Sequence, residues 1–271
     1  MAAVTKAGGP ALIDGTFLKI TAMASMLTDH IGAAFFPQYT ILRIIGRLAF
    51  PIYAFLIAEG CVYSSSRMRY LGRLFALALL SELPFDLALF PDGGRLSHQN
   101  VCFTLFIGLA MVTAVRFRED KEHDTGGRPG GNGGAPASVL DSLMGRDSHF
   151  ERFRSVTAHY AFGMSETAFC VLVFLAGGLA ARLLGTDYSW YGTSMIFFFY
   201  LFRDRPWLRL VSAAVIILIM GGLEDFALLA LPLIAVYNGR IRLRTRAWRI
   251  FEYAFYPVHL LIIGLINLYL I

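Results

Sequence analysis

The sequence predicts an all-α, polytopic transmembrane helical bundle, and its composition and patterning support this class. Charged residues make up 16% of the 271 residues, whereas about 25% is usual for a soluble domain. Residues 116–154 hold 14 of the 43 charged residues, so the other 232 residues carry only 29. Hydrophobic residues make up 56% of the chain. These values exclude a soluble enzyme, a disordered regulator and a disulfide scaffold.

Apolar runs that could cross a hydrocarbon core about 30 Å thick occur about nine times along the chain. The predicted spans are 18–36, 41–62, 71–90, 101–117, 166–184, 191–202, 207–222, 226–238 and 250–270. The sixth and eighth are short, and we expect them to be tilted, broken or re-entrant. Kinks are expected at Pro51, Pro84, Pro232 and Pro257, because proline frees a backbone carbonyl. Residues 1–271 are thus predicted to form a single transmembrane domain whose first span is a retained signal anchor.

The basic residues favour one orientation of these spans. With nine spans, 20 of the 24 Lys and Arg residues lie on the side of the N-terminus. The connections on the other side contain only Arg95. Because cytoplasmic loops are enriched in Lys and Arg, we expect a cytoplasmic N-terminus in a bacterial cytoplasmic (inner) membrane. The net charge of +5 then reflects topology and lipid contact, and no nucleic-acid partner is expected.

Residues 119–156 are predicted to form a flexible cytoplasmic loop. The glycine-rich stretch 126–136 within it cannot bury a hydrophobic core. The three cysteines are far apart in sequence, which gives neither a disulfide framework nor metal-ligand spacing, and no metal is expected. The GxSxG, GxxxxGK[ST], HExxH and CxxC motifs of familiar soluble enzymes do not occur in the sequence.

Ionisable side chains inside the predicted spans are the candidates for function, because burying them in a bilayer is costly. They are Lys19, Asp29, His30, Arg43, Arg47, Glu59, Glu82, Asp86, Glu166, Arg182 and His259. The helical rise and the predicted orientation place most of them in the middle and outer half of the membrane, with Asn100 at the outer mouth. A polar pocket with paired charges is therefore expected there.

Lys19 and His30 are the most informative pair. They are eleven residues apart, which puts them on one helix face about 16 Å apart along the axis. A cation at the cytoplasmic boundary and a deep imidazole could hold coenzyme A, with its phosphates at Lys19 and its thioester near His30. In the alternative interpretation, Lys19 reaches the interface and Asp29 and His30 form a structural pair. Histidine is the side chain best suited to general-base work near neutral pH.

The other candidates have structural interpretations beside the functional ones. Arg43 and Arg47 share a face and could anchor acidic neighbours or bind substrate. Glu82 and Asp86 flank Pro84 and could pair with Arg47 or act directly. His259 could be a hydrogen-bonded core residue or a second catalytic histidine.

Several sequence blocks, in order, resemble the TraX family of polytopic membrane proteins, named for the acetylase that caps conjugative F-type pilin. The blocks are LKI (18–20), DHIG (29–32), LRIIGRLAFPI (42–52), SELPFD (81–86), NVCFTL (100–105), DYSWYG (187–192), ALPLIAVYNG (230–239) and FYPVHL (255–260). More distantly, the first span is similar to the acyltransferase-3-type transmembrane acyltransferases, whose pattern is Arg, ten residues, His. Lys19 stands in place of that arginine, and His30 keeps the match.

The resemblance implies a transmembrane acyltransferase that uses acetyl-CoA as co-substrate. We therefore expect His30 to act as general base, oriented by Asp29 or Glu82, and Arg47 or Asn100 to stabilise the oxyanion. Lys19 and Arg73 would bind the donor phosphates, and Asp86, Asn100 and His259 would contact the acceptor. That acceptor would be an envelope glycan, a small membrane protein or pilin. A proton-coupled transporter and a non-catalytic assembly factor remain alternatives.

The topology can be tested by cysteine accessibility. Cysteines placed at Gly130 and Thr245 in a cysteine-free background should both be labelled from the cytoplasmic side, because both lie in predicted basic connections. Labelling of the two positions from opposite sides would contradict the predicted orientation.

Overall fold

The computed structural model describes residues 13–90, 98–126, 164–243 and 245–270, and this part of the chain is helical. The helices are α1 Gly15–Phe35, α2 Thr40–Gly46, α3 Ala49–Tyr63, α4 Arg67–Leu89, α5 Val101–Gly126, α6 Met164–Leu183, α7 Ser189–Leu201, α8 Pro206–Met220, a 3-10 helix Gly222–Leu229, α9 Ala230–Ala235 and α10 Arg246–Leu270. Extended pairing among these residues is limited to two isolated bridges, Ile13 with Tyr237 and Gln99 with Thr186. The predicted all-α class is confirmed.

Four helical stretches in the described ranges are long and apolar enough to cross a membrane. They are Thr40–Tyr63, Val101–Lys121, Glu166–Leu183 and Arg246–Tyr269. α1 and α4 have similar lengths, 21 and 23 residues, but carry more polar side chains. The molecule is therefore a helical membrane protein. The count of nine spans and the cytoplasmic N-terminus stay predictions.

The second predicted span, 41–62, is broken into α2 and α3. The Arg47 backbone N–H bonds back to the carbonyl oxygens of Arg43 and Ile44, both at 3.2 Å, and the next helix begins at Ala49. Pro51 lies in the first turn of α3, where its missing N–H has no helical partner to lose. The break between α2 and α3 therefore lies one turn before Pro51, and Arg47 is at the end of α2.

The eighth predicted span, 226–238, is not one long helix. Gly221 and Gly222 have φ of +69° and +64°, a left-handed conformation that glycine adopts without strain and that ends α8. The following 3-10 helix and the six-residue α9 are each too short to cross a bilayer. The predicted loop at 119–156 also begins later than expected, because α5 continues to Gly126; residues 127–156 lie outside the described ranges.

The chain divides into two compact units, and the candidate site lies in the first. This unit contains the described residues up to Thr113 and from Ala176 onward. In the second unit, residues 114–175, Arg116 pairs with Glu119 at 3.1 Å, and Arg118 lies over the Phe169 ring at 4.7 Å.

Three helices of the first unit, α1, α4 and α10, run in the same direction. Near their N-termini, Lys19 of α1 pairs with Glu252 of α10, and Arg73 of α4 donates to the Tyr253 hydroxyl. Near their C-termini, Asn267 Nδ2 of α10 donates to the Ala88 carbonyl oxygen of α4 at 2.9 Å. A buried apolar cluster packs these helices against one another and against α3 and α5. It comprises Met26, Ala49, Ala78, Phe85, Ala88, Cys102, Tyr256, Leu260 and Ile263.

We predict that Gly264→Ala destabilises the packing of α10 on α4. An added Cβ would lie 2.8 Å from Leu87 Cβ and 3.0 Å from the Leu87 carbonyl carbon, so backbone would have to move. We expect a loss of about 1–3 kcal/mol in the free energy of unfolding, read as a lower Tm of the purified protein.

Gly72→Ala is the matched control, because nothing lies within 4 Å of a Cβ added at this helical glycine of α4. That variant should keep or slightly raise the Tm, since alanine favours helix more than glycine does. A Gly264→Ala protein as stable as Gly72→Ala would contradict the close approach of α4 and α10.

Candidate functional site

A cavity of about 1190 Å³ lies within the first unit, between α1, α3, α4 and α10. One face of α1 lines it along most of the helix, through Lys19, Met23, Met26, His30 and Ala33. This spacing of three or four residues is that of a single helical stripe. The prediction that Lys19 and His30 share a face is therefore confirmed, and that face borders an internal space.

One end of the cavity is basic. The Lys19 ammonium lies between both carboxylate oxygens of Glu252, at 2.8 and 2.9 Å. Arg73 lines the cavity beside this pair and donates from Nε to the Tyr253 hydroxyl at 3.3 Å. Arg249, one turn before Glu252, lines the same end. Lys19 and Arg73, the two residues predicted to bind the donor, thus line the same cavity as a third cation, Arg249.

His30 lines the cavity deeper inside and is hydrogen-bonded to His259. Its Nδ1 lies 2.7 Å from His259 Nε2, and the two rings are nearly parallel, with an interplanar angle of 11°. Both side chains are buried, with 8% and 7% of their surfaces exposed. His259 itself is not among the residues that line the cavity in the described structure, so it lies behind His30.

The backbone fixes the tautomers of this histidine pair. His259 Nδ1 lies 2.6 Å from the Phe255 carbonyl oxygen, which can only accept a hydrogen bond, so Nδ1 carries the proton. In a neutral His259, Nε2 then has the lone pair and accepts from His30 Nδ1–H. His30 is left with an unprotonated Nε2. The two hydrogen bonds, from His259 to the Phe255 carbonyl and from His30 to His259, therefore make His30 Nε2 the basic nitrogen of the pair.

The expected acidic partner of His30 is replaced by this histidine. We expected Asp29 or Glu82 to orient His30, but the Asp29 carboxylate pairs with Arg43 at 3.0 Å and Arg47 at 2.5 Å. Adjacent residues of a helix point about 100° apart, so Asp29 and His30 serve different neighbours. The interpretation that Arg43 and Arg47 anchor an acidic residue is confirmed.

Arg47 also joins two segments that follow far along the chain. Its Nη1 bonds Glu224 Oε1 of the 3-10 helix at 2.5 Å and reaches the Tyr188 hydroxyl at 3.5 Å. Gly46 makes room for this cluster, because a Cβ at that position would overlap the Asp29 carboxylate. Arg47, expected to stabilise an oxyanion, lines the cavity but has its guanidinium held by two carboxylates.

Glu82, Asp86 and Asn100 are not brought to the cavity wall. Asn100 Nδ2 donates to Glu82 Oε2 at 2.5 Å and to the Ala78 carbonyl oxygen at 2.8 Å. Its Oδ1 accepts from the Cys102 backbone N–H at 2.9 Å, which caps the start of α5. The geometry gives Asn100 and Glu82 a helix-capping role instead of the predicted catalytic and acceptor contacts. Asp86 is buried on α4 away from the lining.

Sequence reasoning missed several residues of the site, and some of them carried a readable signal. Arg249, Glu252, Tyr253 and Tyr256 recur at helical spacing on α10 and all line the cavity. That stripe is visible in the sequence, where the excess of basic residues indicates topology and lipid contact. Glu224 carried no such signal, because its partner Arg47 lies 177 residues away.

The apolar helices and the buried ion pairs around an internal cavity define a polytopic helical membrane protein with a polar internal site. The chain belongs to the TraX family, whose model, described as TraX protein, matches residues 14–125 and 156–267. The two matched segments contain every site residue described above. The match shows the TraX family, and the wider resemblance to the acyltransferase-3-type proteins stays a prediction.

Two relatives match shorter segments. A probable fimbrial assembly protein, FimC of serogroup H1, from Dichelobacter nodosus is 32% identical over 118 residues, which is 36% of this chain and 46% of that protein. The protein RP591 of Rickettsia prowazekii (strain Madrid E) is 50% identical over 99 residues, 36% of each chain. Both matches cover less than half of the relative. No solved structure matches the chain.

We predict that Arg47→Ala strongly destabilises the protein, because it leaves the carboxylates of Asp29 and Glu224 without their shared cation in a buried site. Breaking a buried pair on one side costs about 3–5 kcal/mol, so we expect a large drop in Tm and loss of monodisperse protein. The control is Arg69→Ala, which removes an exposed arginine of α4 and should leave the Tm within error. Equal Tm values for the two variants would show that the cluster is unimportant for folding.

Proposed function

We propose that this chain is an integral membrane acyltransferase that moves an acetyl group from cytoplasmic acetyl-CoA to an amine or hydroxyl of a membrane or extracytoplasmic acceptor. One observation carries the proposal: an unprotonated histidine nitrogen, His30 Nε2, belongs to a residue that lines a cavity whose other end is basic. Transfer at this site would need a base and an anion-binding end, and the cavity supplies groups suited to both.

The distance between these two ends fits the donor. Lys19 and His30 lie about 16 Å apart along α1, on the scale of an extended pantetheine arm. Phosphates of the donor would bind among Lys19, Arg73 and Arg249, of which Lys19 is paired with Glu252. The thioester would then lie next to His30.

His30 would act as general base in the transfer step. Its Nε2 takes a proton from the acceptor amine or hydroxyl as the acceptor attacks the thioester carbonyl. The new C–N or C–O bond forms, the C–S bond breaks, and the proton passes from His30 to the departing thiolate. While His30 is cationic, its Nδ1–H bond to His259 Nε2 becomes charge-assisted and stronger. His259 is therefore a positioning residue that favours the protonated intermediate state of His30.

The positive charges of Arg43 and Arg47 would favour the oxyanion that develops on the thioester carbonyl. Both arginines line the cavity, and the Arg43 side chain is the more exposed of the two, at 34% against 10%. The Asn100 side chain caps α5 and is outside the cavity lining.

The relatives and the predicted topology support a proposal for the acceptor and for the compartment. A relative named as a probable fimbrial assembly protein supports a pilin amine as one acceptor, and an envelope glycan or a small membrane protein offers the same nucleophiles. With a cytoplasmic N-terminus in the bacterial inner membrane, the basic end would face the compartment that contains acetyl-CoA.

The decisive experiment measures thioester cleavage by purified protein in lipid nanodiscs. Relative to wild type, His30→Ala should lower the rate of acetyl-CoA turnover by about 10²–10⁴-fold while leaving donor binding largely intact. Lys19→Ala should instead weaken donor binding more than it slows the chemical step. A monodisperse His30→Ala protein with near-normal transfer would refute the general-base role. Flux of a solute without thioester cleavage would indicate a transporter.

His259 allows a sharper test, because a structural and a positioning role give different results. His259→Ala should lower the rate and alter the pH–rate profile, since His30 loses the acceptor that fixes its tautomer. His259→Gln should restore much of the activity, because its amide oxygen can accept the same hydrogen bond. His98→Ala is the control histidine, exposed and outside the cavity lining. Equal loss in the Ala and Gln variants would contradict the positioning role.

A further inference from the structure

Four carboxylates of the described residues line the cavity, and three of them are paired with cations. The pairs are Asp29 with Arg43 and Arg47, Glu59 with Arg209, and Glu252 with Lys19. The fourth carboxylate, Asp187, is exposed and forms no ion pair with any residue in the described ranges. A carboxylate that lines an internal cavity without its own cation is available to a cationic ligand.

Hydrogen bonds fix the backbone of Asp187, which lies in the connection between α6 and α7. Its N–H donates to the Gln99 carbonyl oxygen at 3.0 Å, and the Gln99 N–H donates to the Gly185 carbonyl oxygen at 3.0 Å. The next residue, Tyr188, stacks on Phe50 with ring centroids 3.7 Å apart. Asp187 therefore lines the cavity from an anchored connection.

Asp187 and His30 share their charged neighbours. Both interact electrostatically with Arg43 and Arg47. Asp187 also interacts with Tyr256, whose ring centroid lies 6.1 Å from that of His30. An acceptor held at Asp187 would therefore lie near the proposed base and near the two arginines proposed to favour the oxyanion. In the predicted topology, the connection 185–190 lies on the side opposite the basic end, from which an extracytoplasmic acceptor would enter.

The surroundings of Asp187 make it a stronger base than a carboxylate in bulk water. Desolvation by the enclosing protein raises the pKa of Asp187 to about 6. Arg47 and Arg43 lower this pKa, whereas the carboxylates of Glu224 and Asp29 raise it. At neutral pH the Asp187 carboxylate is still mainly ionised, so it can bind a cation and then accept a proton from it.

Amine and hydroxyl acceptors differ in the number of protons that they must lose. A hydroxyl loses one proton as it attacks, and His30 can take that proton. An α-amino group, with a pKa of about 8, arrives at neutral pH mainly as an ammonium ion without a lone pair. It must therefore lose one proton before attack and a second one afterwards. His30 Nε2 can hold only one of these two protons.

We infer that Asp187 binds the ammonium group of an amine acceptor and removes its first proton, which makes Asp187 a second catalytic residue beside His30. This inference rests on the proposed function. The Asp187 carboxylate takes one proton from the bound ammonium, and the freed lone pair attacks the thioester carbonyl carbon. The C–N bond forms, and His30 Nε2 takes the second nitrogen proton and passes it to the thiolate as the C–S bond breaks. Asp187 then releases its proton to water, so each turnover yields an amide, the free thiol and one proton.

The test uses glycinamide and glycolamide, two small acceptors that differ only in an amine and a hydroxyl. Acetyl transfer from acetyl-CoA to each acceptor is measured with purified protein in nanodiscs, at about pH 7 and about pH 9. Hydrolysis of acetyl-CoA without an acceptor and binding of acetyl-CoA are measured in parallel.

Asp187→Asn keeps the shape of the side chain but removes its charge and basicity. It should lower kcat/KM for glycinamide by about tenfold or more at pH 7, because only about one-tenth of an amine with a pKa near 8 is then unprotonated. At pH 9 most of the amine has already lost its proton, so the loss should shrink to about threefold or less. Transfer to glycolamide and binding of acetyl-CoA should stay within about twofold of wild type, since neither needs a second base.

Three further variants serve as comparisons. Asp187→Ser is a second neutral variant and should give the same pattern as Asp187→Asn. Asp187→Glu keeps a carboxylate and should retain more glycinamide activity than either. Asp204→Asn is the control, because Asp204 is an exposed carboxylate outside the cavity lining. It should match wild type with both acceptors at both pH values.

The outcomes separate this inference from the proposed function. A loss of glycinamide activity that is equal at both pH values, or that glycolamide shares, would make Asp187 a structural residue and overturn the inference. So would unchanged glycinamide activity at pH 7, or loss of monodisperse protein in both neutral variants. Wild-type protein that cleaves acetyl-CoA but does not acetylate glycinamide overturns the inference and leaves the thioester chemistry of the proposed function intact. If acetyl-CoA is neither bound nor cleaved, the proposed function itself fails.

Discussion

The paired charges of Arg47 hold together parts of the chain that lie far apart in sequence. A buried guanidinium needs carboxylate partners, because leaving its charge unpaired costs more free energy than packing can offset. Arg47 finds Asp29 on α1 and Glu224 on the 3-10 helix, and its position at the break between α2 and α3 lets it face both. The glycine at 46 is part of the same arrangement, because a Cβ there would overlap the Asp29 carboxylate.

The histidine pair depends on that arrangement in turn. With Asp29 engaged by Arg43 and Arg47, the imidazole of His30 has no carboxylate to receive its Nδ1 proton, and His259 of α10 takes that place. A neutral partner leaves the site with less fixed negative charge than a histidine–carboxylate pair would. The tautomer of His30, with an unprotonated Nε2, is thus fixed by the Phe255 carbonyl through His259, and His30 lines the cavity.

The local periodicity of the sequence was enough to predict the helical class and the stripe that joins Lys19 to His30, because both depend on spacing within one helix. Burying an unpaired charge is costly, and this argument correctly predicted that Arg43 and Arg47 pair with an acidic residue, which is Asp29. Pairing between distant helices was not predictable. His30 and His259 are 229 residues apart. Glu82, for which pairing with Arg47 and a direct role were both open, accepts hydrogen bonds from Asn100 at the start of α5. The short run at 226–238, expected to be tilted, broken or re-entrant, is broken into a 3-10 helix and a six-residue helix, although hydropathy does not reveal that two glycines with positive φ end the preceding helix.

The common direction of α1, α4 and α10 has an electrostatic consequence of its own. Peptide dipoles in a helix add up to a partial positive charge at its N-terminus, and here three such ends lie on the side of the cavity where Glu252 meets Lys19. Although Glu252 neutralises one ammonium, the aligned backbones still contribute a positive potential that side-chain substitutions do not remove. The helix backbones therefore attract an anion to this end of the cavity, and the side chains determine the position at which it would bind.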